Sequence, residues 1–394
     1  MVNAVIAVFA PGQGSQTPGM LAPWLELPGV PEQVAELSEA AGLDLQRLGT
    51  TATAEQIKDT AVTQPLIVAL GVIVADRLGL ESDAERVVAG HSVGELTAAA
   101  VSGALTGHEA VALAARRGAE MAAACALAPT GMSALLGGDP DEVAAGIEAA
   151  GLVPANRNGA GQIVAAGALD ELAELAAAPP AGARVRPLAV AGAFHTHYMA
   201  PAEAALAEFA ATLRIADPRP ILLSNADGAA VVTGAELIAR LVRQVTLPVR
   251  WDLCLRTCRD LGIGAAIELA PAGTLTGIAK RELTGVELLA IKSPEDLDRA
   301  RALIDNHPQY AQGEHVPDFR IVVTPAKGVF TRADGLDEGR DVARGTTIGT
   351  IATNREQHEI LAPQAGVLTE WLRASGDIVP AGLPVARIHS GADL

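Results

Sequence analysis

Short apolar runs alternate with longer Ala- and Leu-rich stretches of helical period over the first three quarters of the chain, the pattern of a sheet covered by helices. Four of the runs predict buried strands, at Val5–Phe9, Arg86–Ala89, Ile221–Ser224 and Gly264–Glu268. Between Met132 and Val190 the segments become shorter: a strand over Met132–Gly137, a helix from Asp139, a strand over Gln162–Gly167, a second helix, and a strand over Arg184–Val190. That βαβ-type order predicts an inserted α+β subdomain. Residues 306–318 are polar, hold Pro308 and Pro317, and show no period, which predicts a linker. Beyond it the chain repeats itself. Pro325, Gly328 and Val329 return as Pro363, Gly366 and Val367, while Gly339, Val342, Gly345, Ile348 and Ile351 return as Gly376, Val379, Gly382, Val385 and Ile388. A duplicated set of short strands predicts a small pseudo-symmetric all-β domain.

Composition narrows the classes. A chain of 394 residues exceeds one core of ordinary size. Its 3% aromatic content points to cores built from Ala, Val and Leu. A net charge of -17 with no Lys/Arg cluster argues against a nucleic-acid surface. The three cysteines, Cys125, Cys254 and Cys258, suit a reducing compartment better than a disulfide-built secreted fold. Cys254 and Cys258 stand on a predicted helix with no partner at metal-ligand spacing, so they read as core thiols and no metal is expected. The first ten residues lack a basic region and run into a Pro-Gly turn, as a buried strand does and a signal peptide does not. Met121–Gly138 is uncharged over most of its length but broken by Pro129 and Gly131, a poor membrane span. The expectation is a cytoplasmic protein.

The densest chemical signal is Gly90-His91-Ser92-Val93-Gly94, between a predicted strand and a helix starting at Glu95. Glycines on both sides leave room for a tight turn that presents the Ser92 hydroxyl, sets the Val93 N–H beside it, and aims a helix N-terminus at any developing negative charge. A serine that merely caps the helix explains the same five residues. A nucleophilic serine needs a base, and His195, at the end of a predicted strand, competes with His197 for that role. Arg117 lies on the apolar face of the helix around Val111–Cys125, where a guanidinium needs an anion, either a structural carboxylate or one carried by a substrate. Arg116 pairs instead with Glu120 on the solvent side. After the first strand, Pro11-Gly12-Gln13-Gly14-Ser15-Gln16 lacks the Lys of a phosphate loop; its N–H groups could supply an oxyanion hole or only a turn.

Together these motifs resemble the malonyl-CoA:acyl carrier protein transacylases of bacterial fatty-acid synthesis, of the actinobacterial type. The resemblance covers residues 1 to about 294 and rests on nine segments in order, at 11–16, 63–65, 90–95, 116–118, 156–164, 192–199, 224–228, 243–251 and 270–281. It implies a hydrolase-like α/β core with a parallel sheet over residues 1–305 and a ferredoxin-like subdomain inserted at about 131–192. It further implies Ser92 as nucleophile, His195 as base, Gln244 as the amide-bearing support of His195, and the N–H groups of Gln13 and Val93 as oxyanion donors. Arg117 becomes the grip on a malonyl carboxylate, Phe194 a position associated with small dicarboxylic units, and Gln64, Asn156 and Asn225 further pocket residues. No tightly bound cofactor is implied; the partners are a CoA thioester and acyl carrier protein, with Lys280 and Arg281 candidates for a basic rim.

Residues 319–394 resemble a biotinyl/lipoyl carrier domain, best in the second half of the repeat. The position of the modifiable Lys holds Arg355, which cannot carry either group, so the resemblance implies a non-carrying relative with an unknown partner. Two other readings compete for the whole chain. A serine hydrolase or thioesterase of α/β-hydrolase type shares the serine turn but places its His late in the domain, after an acid. A scaffold acting through the C-terminal domain needs none of the motif residues.

Overall fold

The structure, a computed structural model, describes residues 5–80, 86–306, 319–353, 356–363, 365–380 and 383–389. They fall into two compact units, one ending before residue 310 and one made almost wholly of the strands after residue 318.

In the larger unit the strands are β1 (Ile6–Ala10) and β2 (Val87–Gly90), then β3 (Thr130–Gly137), β4 (Val153–Gly159), β5 (Gln162–Ala168) and β6 (Ala183–Pro187), then β7 (Ile221–Leu223), β8 (Ala230–Val231), β9 (Val249–Arg250), β10 (Ala265–Glu268) and β11 (Glu287–Ala290). The main sheet runs β11-β10-β1-β2-β7-β8, parallel from β11 to β7. Every residue of β1, β2 and β10 is buried, which is why these strands read as continuous apolar runs rather than alternating ones. The helix Thr60–Leu78 is apolar on all sides for the same reason: 78% of its most apolar window is buried in the larger unit. It is the one helix among the described residues long and apolar enough to cross a membrane.

Central strands β1 and β2 end side by side, Ala10 opposite Gly90. The loops leaving their carboxyl ends therefore meet, where ligands bind in open parallel sheets. One loop carries Gln13 and the other Ser92.

The second sheet runs β6-β3-β5-β4-β9 and its inserted strands follow the order β3, helix Pro140–Ala149, β4, β5, helix Leu169–Ala177, β6. The pattern of apolar positions missed β4. Pro154, Asn156, Asn158 and Gly159 all weaken strand propensity, and the pairing of β4 with β5 shifts register at two points. The last inserted strand stops at Pro187, short of the predicted Val190, because Pro cannot donate to the ladder.

The smaller unit holds β12 (Phe319–Val323), β13 (Gly328–Arg332), β14 (Arg340–Val342), β15 (Thr347–Ala352), β16 (Gln357–Leu361), β17 (Gly366–Trp371), β18 (Ile378–Val379) and β19 (Pro384–His389). They form two four-stranded sheets, β12-β19-β17-β14 and β16-β15-β13-β18. Ile348 and Ile351 pack with their repeat partners Val385 and Ile388 in one core around Phe330. Arg355 and all of the predicted linker except Asn306 lie outside the described residues.

Candidate active site

Ser92 follows the last residue of β2 by two positions and precedes the helix Gly94–Val101 by the same number. Its φ of 51° is the sharp left-handed turn that lifts the hydroxyl out of the loop. The turn fits only because its flanks have no side chains. A Cβ on Gly94 would stand 2.2 Å from the Ala10 carbonyl oxygen, and one on Gly90 would stand 2.0 Å from the Gly94 carbonyl carbon.

His195 also has a positive φ, 62°. Its Nε2 meets Ser92 Oγ at 2.8 Å, and its Nδ1 faces the Gln244 main-chain carbonyl at 2.7 Å. A carbonyl can only accept, so Nδ1 carries the proton and Nε2 is left to take one from Ser92. Burial, then the nearby Arg117 charge, push the imidazole pKa down to about 3, so His195 is neutral across the physiological range. His197 is exposed and stacks on Tyr198, away from Ser92.

The structure corrects one detail of Gln244: the imidazole is oriented by its backbone, and its amide is used elsewhere. Oε1 accepts from Arg117 Nη2 at 2.8 Å, and Nε2 donates to the Ser92 carbonyl at 3.1 Å and to the carboxylate of Glu95. Asn225 is corrected more fully. It is wholly buried behind the serine turn rather than in the cavity wall. Its Oδ1 accepts the Ser92 N–H at 2.7 Å and its Nδ2 donates to the Gly90 carbonyl at 2.7 Å, pinning the turn from behind.

A cavity of about 200 Å³ opens in front of Ser92 and His195. Gln13, Gln64, Arg117, Asn156 and Phe194 line it, together with Met132 and Val164 of the inserted sheet. The main-chain N–H groups of Gln13 and Val93 have no hydrogen-bond partner among the described residues, so both are free to receive a negative oxygen. Arg117 is 2% exposed. Its neighbours are neutral oxygens: Gln64 Oε1 at 2.8 Å, Gln244 Oε1 at 2.8 Å and Ser92 Oγ at 3.3 Å. Among the described residues no carboxylate forms an ion pair with it. Burial lowers its pKa to about 10, opposed by the more distant Glu95 charge, so it stays protonated at neutral pH. Cys254 and Cys258 are fully buried, with thiol pKa values raised by burial.

Three residues at the site were not singled out from the sequence. Glu95 is buried beneath Ser92 in the first turn of its helix. Asn158 Oδ1 faces His91 Nε2 at 2.8 Å, turning that imidazole away from Ser92. Glu268, at the end of β10, accepts from the N–H groups of Gly273, Leu275 and Thr276, and so positions the helix whose Thr274, Leu275 and Ile278 complete the cavity. A lone acid closing an apolar strand is the signal that could have found Glu268.

The acyl transferase domain model matches residues 8–302. The malonyl CoA-acyl carrier protein transacylase of Mycobacterium bovis is 58% identical over 297 residues, covering 75% of this chain and 98% of that protein. The Escherichia coli protein of the same name is 33% identical over 75% of this chain and 99% of its own length. The crystal structure of MCAT from Mycobacterium tuberculosis superposes with a TM-score of 0.74 at 58% identity, over 75% of this chain and 99% of that one. A holo complex of a type II polyketide acyl carrier protein with its malonyl-transacylase matches at TM-score 0.71 and 28% identity, over 76% of this chain and all of that chain. By its motifs, its fold and these relatives, the chain belongs to the acyl transferase family and, within it, to the malonyl CoA-acyl carrier protein transacylases.

Proposed function

We propose that this chain moves a malonyl group from malonyl-CoA to the phosphopantetheine thiol of acyl carrier protein through an ester on Ser92. The observation that carries the reading is Arg117: a buried, protonated guanidinium without an ion pair among the described residues, 3.3 Å from the attacking oxygen. An acyl chain that ends in a carboxylate supplies the missing charge, and Arg117 offers it a planar set of donors. A neutral acetyl chain leaves the cation unmatched.

In the first half-reaction His195 Nε2 takes the Ser92 proton as Oγ attacks the thioester carbonyl. The resulting oxyanion lies between the Gln13 and Val93 N–H groups, and its collapse expels the CoA thiolate, which takes the proton back. In the second half the carrier thiol gives its proton to His195 and attacks the malonyl ester, and His195 Nε2 returns that proton to Ser92 Oγ as it leaves. The neutral carbonyl of Gln244 holds the imidazole without adding charge. These steps call on no tightly bound cofactor. Lys280 and Arg281, in the last turn of the helix that closes the cavity, suit the rim an acidic carrier protein would meet.

The strand order β6-β3-β5-β4 with two helices supports the ferredoxin-like reading of the inserted subdomain. The paired four-stranded sheets after residue 318 support the biotinyl/lipoyl-like reading of the C-terminal domain. Three free cysteines fit the cytoplasm. The test is incubation with malonyl-CoA and holo acyl carrier protein, followed by mass spectrometry of both proteins. Malonyl on Ser92 and then on the carrier is the expected result; release of free malonate with no malonylated carrier overturns the reading in favour of a hydrolase.

A further inference from the structure

Two amide oxygens face Arg117, from Gln64 and Gln244. A guanidinium offers only donors, so an amide beside it turns its oxygen inward, and that orientation is locked where the NH2 group is also held by acceptors. For Gln244 the acceptors are the Ser92 carbonyl at 3.1 Å, Asn225 Oδ1 at 3.3 Å and the carboxylate of Glu95, which is 4% exposed. One Glu95 oxygen takes the Gln244 amide, and the other takes the main-chain N–H of Asn225.

We infer that Glu95 is a positioning residue for acyl selection: its carboxylate locks the Gln244 amide with the oxygen toward Arg117, holding the guanidinium over the acyl site with no ion-pair partner competing for it. The inference rests on the malonyl reading above. Glutamine at position 95 would present one acceptor and one donor where Glu95 presents two acceptors. The Asn225 N–H belongs to the backbone and cannot turn away, so the new donor falls on Gln244. The Gln244 amide then either rotates, which brings an NH2 group against the guanidinium, or shifts away from position 95, which moves the oxygen that holds Arg117. Removing the Glu95 charge also takes away the negative charge that favours protonated Arg117 in its desolvated position.

The experiment is a double-substitution cycle on the full chain with Glu95→Gln, Gln244→Met and the pair, read by initial rates of Ser92 acylation from malonyl-CoA and acetyl-CoA. Glu95→Gln is expected to lower the malonyl-to-acetyl ratio at least tenfold, mostly through KM. In the Gln244→Met background the same substitution should change the ratio less than twofold. An equal loss with both thioesters, or an undiminished effect in the Gln244→Met background, overturns the inference. Melting temperatures of the four proteins read the lock without substrate: the two losses should be non-additive, and simple addition counts against it. If Glu95→Gln does not fold, the exchanged pair Glu95→Gln with Gln244→Glu replaces it. That pair keeps the hydrogen bond between 95 and 244, gives up the donor to the Ser92 carbonyl and Asn225 Oδ1, and sets a carboxylate against Arg117, so retained malonyl preference overturns the inference. If the unsubstituted chain forms no malonyl ester, the functional reading fails, and the melting cycle still decides the lock.

Discussion

Replacing Arg117 by methionine keeps most of the side-chain volume and removes the charge. In the native protein the guanidinium is buried against three neutral oxygens and forms no ion pair among the described residues, so an arriving malonyl carboxylate meets an uncommitted cation. In the Arg117→Met protein that carboxylate enters the same cavity with no cation, and Glu95 loses the charge that balances it. Removing one member of a buried ion pair costs about 3–5 kcal/mol. At about 1.4 kcal/mol per power of ten, acylation by malonyl-CoA should fall by roughly two to three and a half orders of magnitude. Acetyl-CoA brings no carboxylate. Its reaction loses the Arg117 contact with Ser92 Oγ, worth about 1 kcal/mol, and should slow by less than about tenfold. Rapid-quench acylation followed by intact-protein mass spectrometry measures both rates in one preparation. Equal losses for the two thioesters would refute the reasoning and return Arg117 to a structural role.

The low pKa of His195 has a sign that can be checked. The base form is needed, and burial holds its pKa near 3, so acylation should stay flat from pH 8 to about pH 5; a fall centred near pH 6.5 would show an unperturbed imidazole. The same shift makes the unfolded chain bind a proton that the folded chain refuses between about pH 3 and 6.5, so stability should decline as pH drops through that window, and His195→Gln should flatten that part of the melting profile. Gly94→Ala places a methyl 2.2 Å from the Ala10 carbonyl and should lower the melting temperature and abolish acylation, whereas Ala at the solvent-facing Gly42 C-cap should leave acylation unchanged. Deleting residues 306–394 should leave malonyl transfer intact, since relatives that match only the first three quarters of the chain carry the same activity in their names; a soluble truncated protein without transfer would contradict this.

What could be read from the sequence follows from which interactions leave a mark on residue type. The buried parallel strands β1, β2, β7 and β10 were legible within a residue or two, because burial on both faces demands an unbroken apolar run. Strand β4 was not, because its asparagines and glycine serve the cavity wall and a tight hairpin rather than a core face. Within the site, Ser92, Gln13 and Arg117 stood out through glycine spacing and a charge on an apolar face. Asn225 was misplaced because nothing local says whether an amide looks into a cavity or into the back of a turn. Glu95 escaped notice because an acid in the first turn of a helix is ordinary; only the fold shows that solvent never reaches it.

The His195 imidazole takes its bearings from the main chain. Gln244 O fixes the His195 ring and Val245 O accepts the His195 N–H at 3.1 Å, two consecutive carbonyls at the end of the helix Gly234–Arg243. No side-chain replacement at 244 or 245 deletes either oxygen, so an alanine at 244 reports the loss of the amide contacts to Arg117 and Ser92 and says nothing of the carbonyl that orients the ring. Changes to the path of the chain, a proline at 246 or a one-residue insertion after 243, are the lesions to which imidazole alignment is exposed. Drift among descendants of this sequence can therefore rewrite the letter at 245 while the alignment of the imidazole persists, so long as the count of residues between helix and loop is kept.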